Sequence, residues 1–241
     1  MVFFCFVIHA LIYVDVISVC LLQGLQQFYT ILNKSAISYQ RYTDFHGKMK
    51  LYRFIIRRMS LMEFSILYSI PRSEVLDSFF LGISSLIGSY GQLFLILGFL
   101  LMIPRNTRKT GMAVIIAFLG VLLFGQLLLK HLVNRPRPCQ IDTAFALLVT
   151  RPTSASFPST HSSWAFGAAT AVFLKYRKFG AALFIFAAIV AFSRMYLFLH
   201  FPTDVLFGII MGIILGTASV KLSDKLMEKY EQKKTPAEHS D

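Results

Sequence analysis

Long runs of apolar residues without a charge constrain the fold of this chain more than any other feature. Segments 111–129, 162–174 and 205–220 are uncharged, and segment 179–199 carries one charge, Arg194. A helix of about 20 apolar residues crosses roughly 30 Å of hydrocarbon. With 56% hydrophobic and 15% charged residues, the expected solvent is a membrane. We therefore predict an all-α, polytopic transmembrane helix bundle of about six spans.

Two further spans are expected upstream. Segment 78–104 is uncharged and longer than one crossing requires, and the residues from Gly88 to Gly91 predict a break between an interfacial piece and a true span. Residues 16–33 predict another span. No Lys or Arg precedes it, so the positive region of a signal peptide is missing.

The net charge of +12 is gathered in short clusters between the apolar runs, which is typical of helix ends at a phospholipid surface and argues against nucleic-acid binding. Basic loops at 105–109 and 175–178 are expected on the cytoplasmic side, which also places the C-terminus inside. The segment 130–161 then lies outside, although it is rich in Lys and Arg. Basic charge on that disfavoured side indicates an anion site.

Polar residues gather in three clusters at predicted outer helix ends. In the first, six residues separate Lys130 from Arg137-Pro138. An ammonium and a guanidinium there can hold phosphate oxygens. The second, Pro158-Ser159-Thr160-His161, opens the next helix. Ser159 or Thr160 can cap that helix, and free N–H groups at a helix start bind anions.

The third cluster runs Ser193-Arg194, five residues, His200, three residues, Asp204. Pro202 suits the first turn of the last span, which places Asp204 one turn from His200 and able to orient its imidazole. Together the three clusters predict a phosphate-binding site. Nearby Arg135 and Arg151 are predicted to contact a lipid head group. Trp164 and Tyr196 are expected in an aromatic belt.

These motifs, in this order, resemble the signature of the type 2 phosphatidic acid phosphatase superfamily, which also includes vanadium haloperoxidases. The resemblance covers roughly 62–226. It implies a lipid phosphatase-like membrane domain over 62–226, preceded by a hydrophobic segment with a basic linker (1–61) and followed by a polar cytoplasmic tail (227–241).

The resemblance also implies the roles of single residues. His200 would attack phosphorus and form a phosphohistidine, with Asp204 holding its ring, and His161 would protonate the leaving oxygen and then activate water. The phosphate oxygens would be held by Lys130, Arg137, Arg194, Ser159 and the backbone N–H of Thr160. No metal and no cofactor belong to this scheme. Phosphoryl transfer mainly needs positioning and neutralised oxygens, which three fixed cations supply.

The implied activity is metal-independent hydrolysis of a lipid phosphate or pyrophosphate in the bacterial cytoplasmic membrane, with the active site at the extracytoplasmic rim. Candidate substrates are undecaprenyl pyrophosphate, phosphatidylglycerol phosphate and phosphatidate. Three alternatives remain open: a phosphotransferase with an acceptor other than water, a non-catalytic lipid-phosphate binding protein, and a haloperoxidase, which would not explain the spans. The family usually has Gly where this chain has Thr160, and this departure puts the N–H contact and the rate in question.

Overall fold

The computed structural model describes residues 61–234, in which every regular element is a helix. The bounds are α1 (61–69), α2 (Glu74–Ile87), α3 (Gln92–Met102), α4 (Arg108–Gly120, continued by a π-helix Val121–Leu129 and a turn Lys130–Val133), α5 (Pro138–Ile141), α6 (Thr160–Lys175), α7 (Arg177–Tyr196) and α8 (Pro202–Lys234). The all-α prediction is confirmed for this part of the chain. The predicted span at 16–33 lies outside the described residues.

Three helical runs in this part are long and apolar enough to cross a membrane, namely Arg108–Ile141, α7 and Pro202–Gln232. The pair α2 and α3, bent by 53°, qualifies as a fourth span if the two count as one. Helix α6 has 16 residues, which is short for a full crossing because each residue advances about 1.5 Å. Residues 61–234 thus support three to four of the roughly six predicted spans.

The break predicted at Gly88 to Gly91 is confirmed as the corner between α2 and α3. Both glycines have positive φ, 75° and 66°, a conformation that residues with a side chain rarely adopt. A Cβ on Gly91 would also lie 2.5 Å from the ring of Trp164. The corner therefore packs directly on α6, near the start of that helix.

Small residues bring α8 close to α6. Gly208, Gly212 and Gly216 follow one another at intervals of four, which places them on one face of α8. A Cβ on Gly212 would lie 2.5 Å from the carbonyl oxygen of Ser163, and one on Gly216 would lie 2.6 Å from that of Gly167. This close approach fixes the position of α8 along its axis relative to the start of α6.

Successive long helices run in opposite directions, so the end of α4, the start of α6, the end of α7 and the start of α8 share one end of the bundle. The opposite end is held by Lys175 Nζ, 2.7 Å from Asp224 Oδ2, and by the Ser223 hydroxyl, which donates to the Lys109 carbonyl at 2.7 Å. All three predicted polar clusters therefore meet at the first end.

The aromatic-belt prediction is wrong for both residues. Trp164 and Tyr196 are buried at 2% and 1% exposure. The Trp164 indole stacks on Phe118 and donates to its carbonyl at 3.2 Å, while the Tyr196 hydroxyl donates to Asp77. Both rings fill the space between helices because each polar atom finds a partner there.

Candidate active site

Three buried cations converge at this end of the bundle. Lys130 lies in the last turn of α4, Arg137 precedes α5 and Arg194 lies in the last turn of α7, with exposures of 6%, 5% and 2%. Among residues 61–234, no carboxylate lies in ion-pair range of any of them. Buried cations are costly unless an anion neutralises them, so this cluster is suited to a multiply charged anion.

The Arg137 guanidinium is held in place by four contacts. Its Nε donates to the Ser154 carbonyl at 2.8 Å, Nη2 to the Ser154 hydroxyl at 3.0 Å and Nη1 to the Leu199 carbonyl at 3.0 Å. The same Nη1 lies 3.0 Å from Nε2 of His200. A cation is thus fixed beside the predicted nucleophile.

Arg194 is oriented by the residue before it. Its Nε and Nη2 donate to the Ser193 hydroxyl at 3.0 and 2.9 Å, and that hydroxyl donates to the Val190 carbonyl at 2.6 Å. The guanidinium is therefore aimed by a serine that the helix itself anchors. This geometry explains why serine precedes arginine in the third motif, since the Ser193 hydroxyl links the helix backbone to the guanidinium.

His200 lies in the turn between α7 and α8, and Asp204 lies in the first turn of α8. The predicted Pro202 helix start is confirmed. His200 Nδ1 is 3.9 Å from Asp204 Oδ2, which is longer than a hydrogen bond. The Ser156 hydroxyl lies between them, donating to Oδ2 at 2.5 Å and lying 3.5 Å from Nδ1. The expected contact with Asp204 is therefore indirect in this structure.

The His200 imidazole is kept neutral by its surroundings. Burial lowers the pKa of His200 well below its ordinary value of 6.5, and the positive charges of Arg137 and Lys130 lower it further. The charges of His161 and Arg194 act on it in the same direction. Four of the predicted site residues thus lie near enough to His200 to influence its protonation.

The start of α6 supplies backbone donors. Ser159 occupies the N-cap position, but its side chain makes no capping hydrogen bond and instead lies 2.9 Å from the Ser162 hydroxyl. The side-chain cap predicted for Ser159 is therefore not made. The N–H groups of the first turn have no partner within the helix, and such groups favour an anion.

Thr160 is the first residue of α6, and its φ is not positive. The conformation that only glycine tolerates is thus not required at this position. Space for the side chain comes from Gly125, where a Cβ would lie 3.2 Å from the Thr160 methyl. Thr160 Oγ1 lies 3.5 Å from Oε1 of Gln126, on the adjacent π-helix.

His161 contacts the corner between α2 and α3. Its Nε2 lies 3.0 Å from the carbonyl oxygen of Gly88. A carbonyl only accepts, so Nε2 carries a hydrogen in this contact. The His161 ring also packs edge to face on Trp164, with 5.6 Å between the two ring centroids. The predicted acid is therefore positioned by a loop that the motifs do not include.

The structure brings all eight predicted site residues to one end of the bundle. It also places there Ser156 and the Gly88 carbonyl, which come from loops without a recognisable pattern. Arg135, predicted to contact a head group, pairs with Asp204 at 2.7 Å, and its head-group contact stays a prediction. Arg151 donates to the Thr143 carbonyl at 3.3 Å. Within residues 61–234, no three His, Cys, Asp or Glu side chains are grouped to hold a metal ion.

Residues 108–228, half of the chain, match the family model of the PAP2 superfamily. The chain belongs to the PAP2 superfamily. The resemblance found in the three motifs is thereby confirmed, and the matched segment contains all eight predicted site residues. Helices α1 to α3 precede it.

Two curated relatives of this PAP2 chain are named as undecaprenyl-diphosphatases. It is 31% identical over 124 residues to an undecaprenyl-diphosphatase of Sulfolobus acidocaldarius, covering 51% of this chain and 60% of that protein. It is 30% identical over 115 residues to the undecaprenyl-diphosphatase BcrC of Bacillus subtilis, covering 46% and 59%. The chain thus spans about three fifths of the length of these curated relatives.

A solved structure also resembles most of the chain. The transmembrane PAP2-type phosphatidylglycerolphosphate phosphatase of Bacillus subtilis superposes with a TM-score of 0.55 at 26% identity, covering 84% of this chain and 96% of that one. An integral membrane helix bundle is therefore shown for this PAP2 chain.

Proposed function

We propose that this protein hydrolyses a lipid phosphate or pyrophosphate through a phosphohistidine at His200. The observation that carries the proposal is the set of buried cations Lys130, Arg137 and Arg194, none of which has a carboxylate in ion-pair range among residues 61–234. A tetrahedral phosphate with several negative oxygens satisfies them together. The backbone N–H of Thr160, in the first turn of α6, adds to the same site.

The proposed reaction has two steps. Nε2 of His200 attacks phosphorus, a P–N bond forms as the bond to the lipid oxygen breaks, and His161 gives that oxygen a proton. Water then attacks the phosphohistidine, His161 takes its proton, and the P–N bond breaks to release phosphate and restore His200. Asp204 and Ser156 hold the other ring nitrogen. Neutral His200 favours the first step because its Nε2 lone pair carries no proton.

The position of the site and the names of the relatives both support a lipid substrate. Catalytic groups at helix ends allow a lipid tail to stay in hydrocarbon while its head group enters the cationic site. The relatives are named for undecaprenyl diphosphate and phosphatidylglycerolphosphate. We therefore propose a polyprenyl pyrophosphate, phosphatidylglycerol phosphate or phosphatidate as substrate.

We also propose that the site faces the extracytoplasmic side and that the C-terminus is cytoplasmic. At the opposite end lie the exposed basic residues Arg105, Arg108, Lys175, Arg177 and Lys178. Membrane proteins retain Lys and Arg preferentially on the cytoplasmic side, which supports this orientation. In a chain with serine at positions 5, 20 and 139, Thr153→Cys and Lys178→Cys can be labelled in intact cells with an impermeant maleimide. Labelling of the first alone is expected; labelling of the second alone reverses the orientation.

The function is tested by phosphate release from the three lipids by detergent-solubilised protein, with His200→Ala run beside it. We expect the wild type to release phosphate from at least one lipid and His200→Ala from none. Equal release by both proteins contradicts the phosphohistidine. No release from any of the lipids contradicts the hydrolase itself.

A further inference from the structure

Behind Asp204, on the side away from His200, lies an ion network of buried carboxylates. Asp204 is fully buried, and its Oδ1 accepts from Arg135 Nη1 at 2.7 Å. The second amine of Arg135, Nη2, donates to Oε2 of Glu63, which is 4% exposed. One guanidinium thus joins two buried carboxylates, one from α8 and one from α1.

The network is closed by Thr203 and an aromatic ring. The other oxygen of Glu63, Oε1, accepts from the Thr203 hydroxyl and from its N–H, the latter at 3.3 Å. Arg135 Nη1 donates to the same hydroxyl at 2.8 Å and its guanidinium lies 4.1 Å from the centre of the Phe201 ring. Arg135 is thereby fixed on several sides.

The chain of contacts continues from Asp204 to the reacting imidazole. Oδ1 of Asp204 faces Arg135, so Oδ2 is left for the Ser156 hydroxyl, at 2.5 Å, and for the Phe201 N–H, at 2.9 Å. Ser156 in turn faces Nδ1 of His200. The rotamer of Asp204 is therefore set by Arg135 on one oxygen, and it decides where the other oxygen points.

Glu63 also shares the positive charge of Arg135 with Asp204. Without Glu63, the full charge of Arg135 would fall on Asp204 alone and weaken the support that Asp204 gives, through Ser156, to the proton at Nδ1. With Glu63, the guanidinium is shared between two carboxylates, so Asp204 keeps more of its negative charge for the Ser156 and His200 side.

We propose that Glu63 is a positioning residue for His200, acting through Arg135 and Asp204. The proposal rests on the proposed phosphohistidine chemistry. Glu63 lies outside the segment 108–228 that matches the family, so α1 of this chain completes a site whose motif residues all come from later helices. A purely structural role, in which the Glu63–Arg135 pair only holds α1 against α8, would also explain these contacts. The test separates that role from the positioning role.

The test is Glu63→Gln, which retains an oxygen for Thr203 and removes the charge facing Arg135. Glu74→Gln, the same change at an exposed position of α2, is the matched control. We expect kcat per folded protein to fall by about 10- to 100-fold in Glu63→Gln, since small displacements of catalytic groups cost this much. KM should change by less than about twofold because Glu63 contacts none of the phosphate-binding cations.

A double variant sharpens the result. Arg135→Met removes the connection, so adding Glu63→Gln to it should lower kcat no further. Multiplied losses would show that Glu63 acts by another route and overturn the proposal. A kcat of Glu63→Gln equal to that of the wild type and Glu74→Gln, with only a lower Tm, would show a structural ion pair and overturn it too.

If Glu63→Gln yields no folded protein, Arg135→Lys takes its place. It keeps a positive charge beside Asp204 but lacks the planar guanidinium that joins Asp204 to Glu63, so a kcat reduced at unchanged KM supports the proposal, whereas an unchanged kcat overturns it. A wild type that releases no phosphate overturns the proposed function and this inference with it. An active wild type with an unaffected Glu63→Gln overturns the inference alone.

Discussion

Nη1 of Arg137 lies 3.0 Å from Nε2 of His200. A guanidinium has no acceptor, so Nε2 must present its lone pair in this contact, and the ring hydrogen lies on Nδ1, toward Ser156 and Asp204. The hydrogen-bond network thus selects the tautomer in which Nε2, the proposed nucleophile, carries no proton. The same network places Arg137, one of the proposed phosphate-binding cations, beside that atom.

The pH dependence follows from this arrangement. The pKa of His200 is below its ordinary 6.5, so the ring keeps its lone pair as pH falls through that value, and the acid limb of kcat/KM assigned to His200 should lie below it. In Arg137→Gln one nearby positive charge is lost, and the limb should move to higher pH. The profile of kcat/KM against pH measures both. An unmoved limb in Arg137→Gln contradicts the assignment.

His200→Ala should lower kcat by more than about 1,000-fold, because the nucleophile itself is removed. Phosphoenzyme trapped by acid quench from labelled substrate should disappear in the same variant. His131→Ala is the matched control, since His131 is exposed, adjacent to Lys130, and bonded only to the Leu127 carbonyl among the described residues. A phosphoenzyme that persists in His200→Ala would place the covalent bond elsewhere.

Thr160→Gly should leave kcat equal or higher, since Thr160 has helical φ and its N–H needs no glycine. Stability should fall by about 1–2 kcal/mol, because a buried side chain is lost. Thermal unfolding and phosphate release measure the two effects separately. A large loss of kcat would show that the Thr160 hydroxyl takes part in the reaction.

Gly125→Ala tests the space that accommodates Thr160. The added Cβ would lie 3.2 Å from the Thr160 methyl and 2.9 Å from Cε of Met211. The methionine can move aside, but Thr160 is held at the helix start, so kcat should fall several-fold. Adding Thr160→Gly should restore it. If the double variant is as slow as Gly125→Ala, the two residues do not constrain each other.

Phosphate release should persist in EDTA, because the positive charge that neutralises the phosphate oxygens is expected from Lys130, Arg137 and Arg194. The comparison is initial rate with and without chelator, followed by excess Mg²⁺. A rate abolished by EDTA and restored by Mg²⁺ contradicts metal-independent hydrolysis.

The sequence by itself determined the helical class and which residues form the candidate site. Uncharged runs of about 20 residues have few alternatives to helices in a membrane, and the three motifs sit at the ends of such runs. Since neighbouring helices run in opposite directions, the end of one helix lies beside the start of the next, and motif residues at those ends meet. The family assignment followed from the same spacings and is confirmed by the match over residues 108–228.

Only the tertiary structure decided how the site residues are held. Ser156, the Gly88 carbonyl and the Glu63–Arg135 pair reach their partners across 48 to 73 positions of sequence. Local spacing predicts which residues share a helix face, because rise and twist are fixed. It carries no information on which distant loop meets that face, since chain paths through loops depend on the packing of the whole bundle.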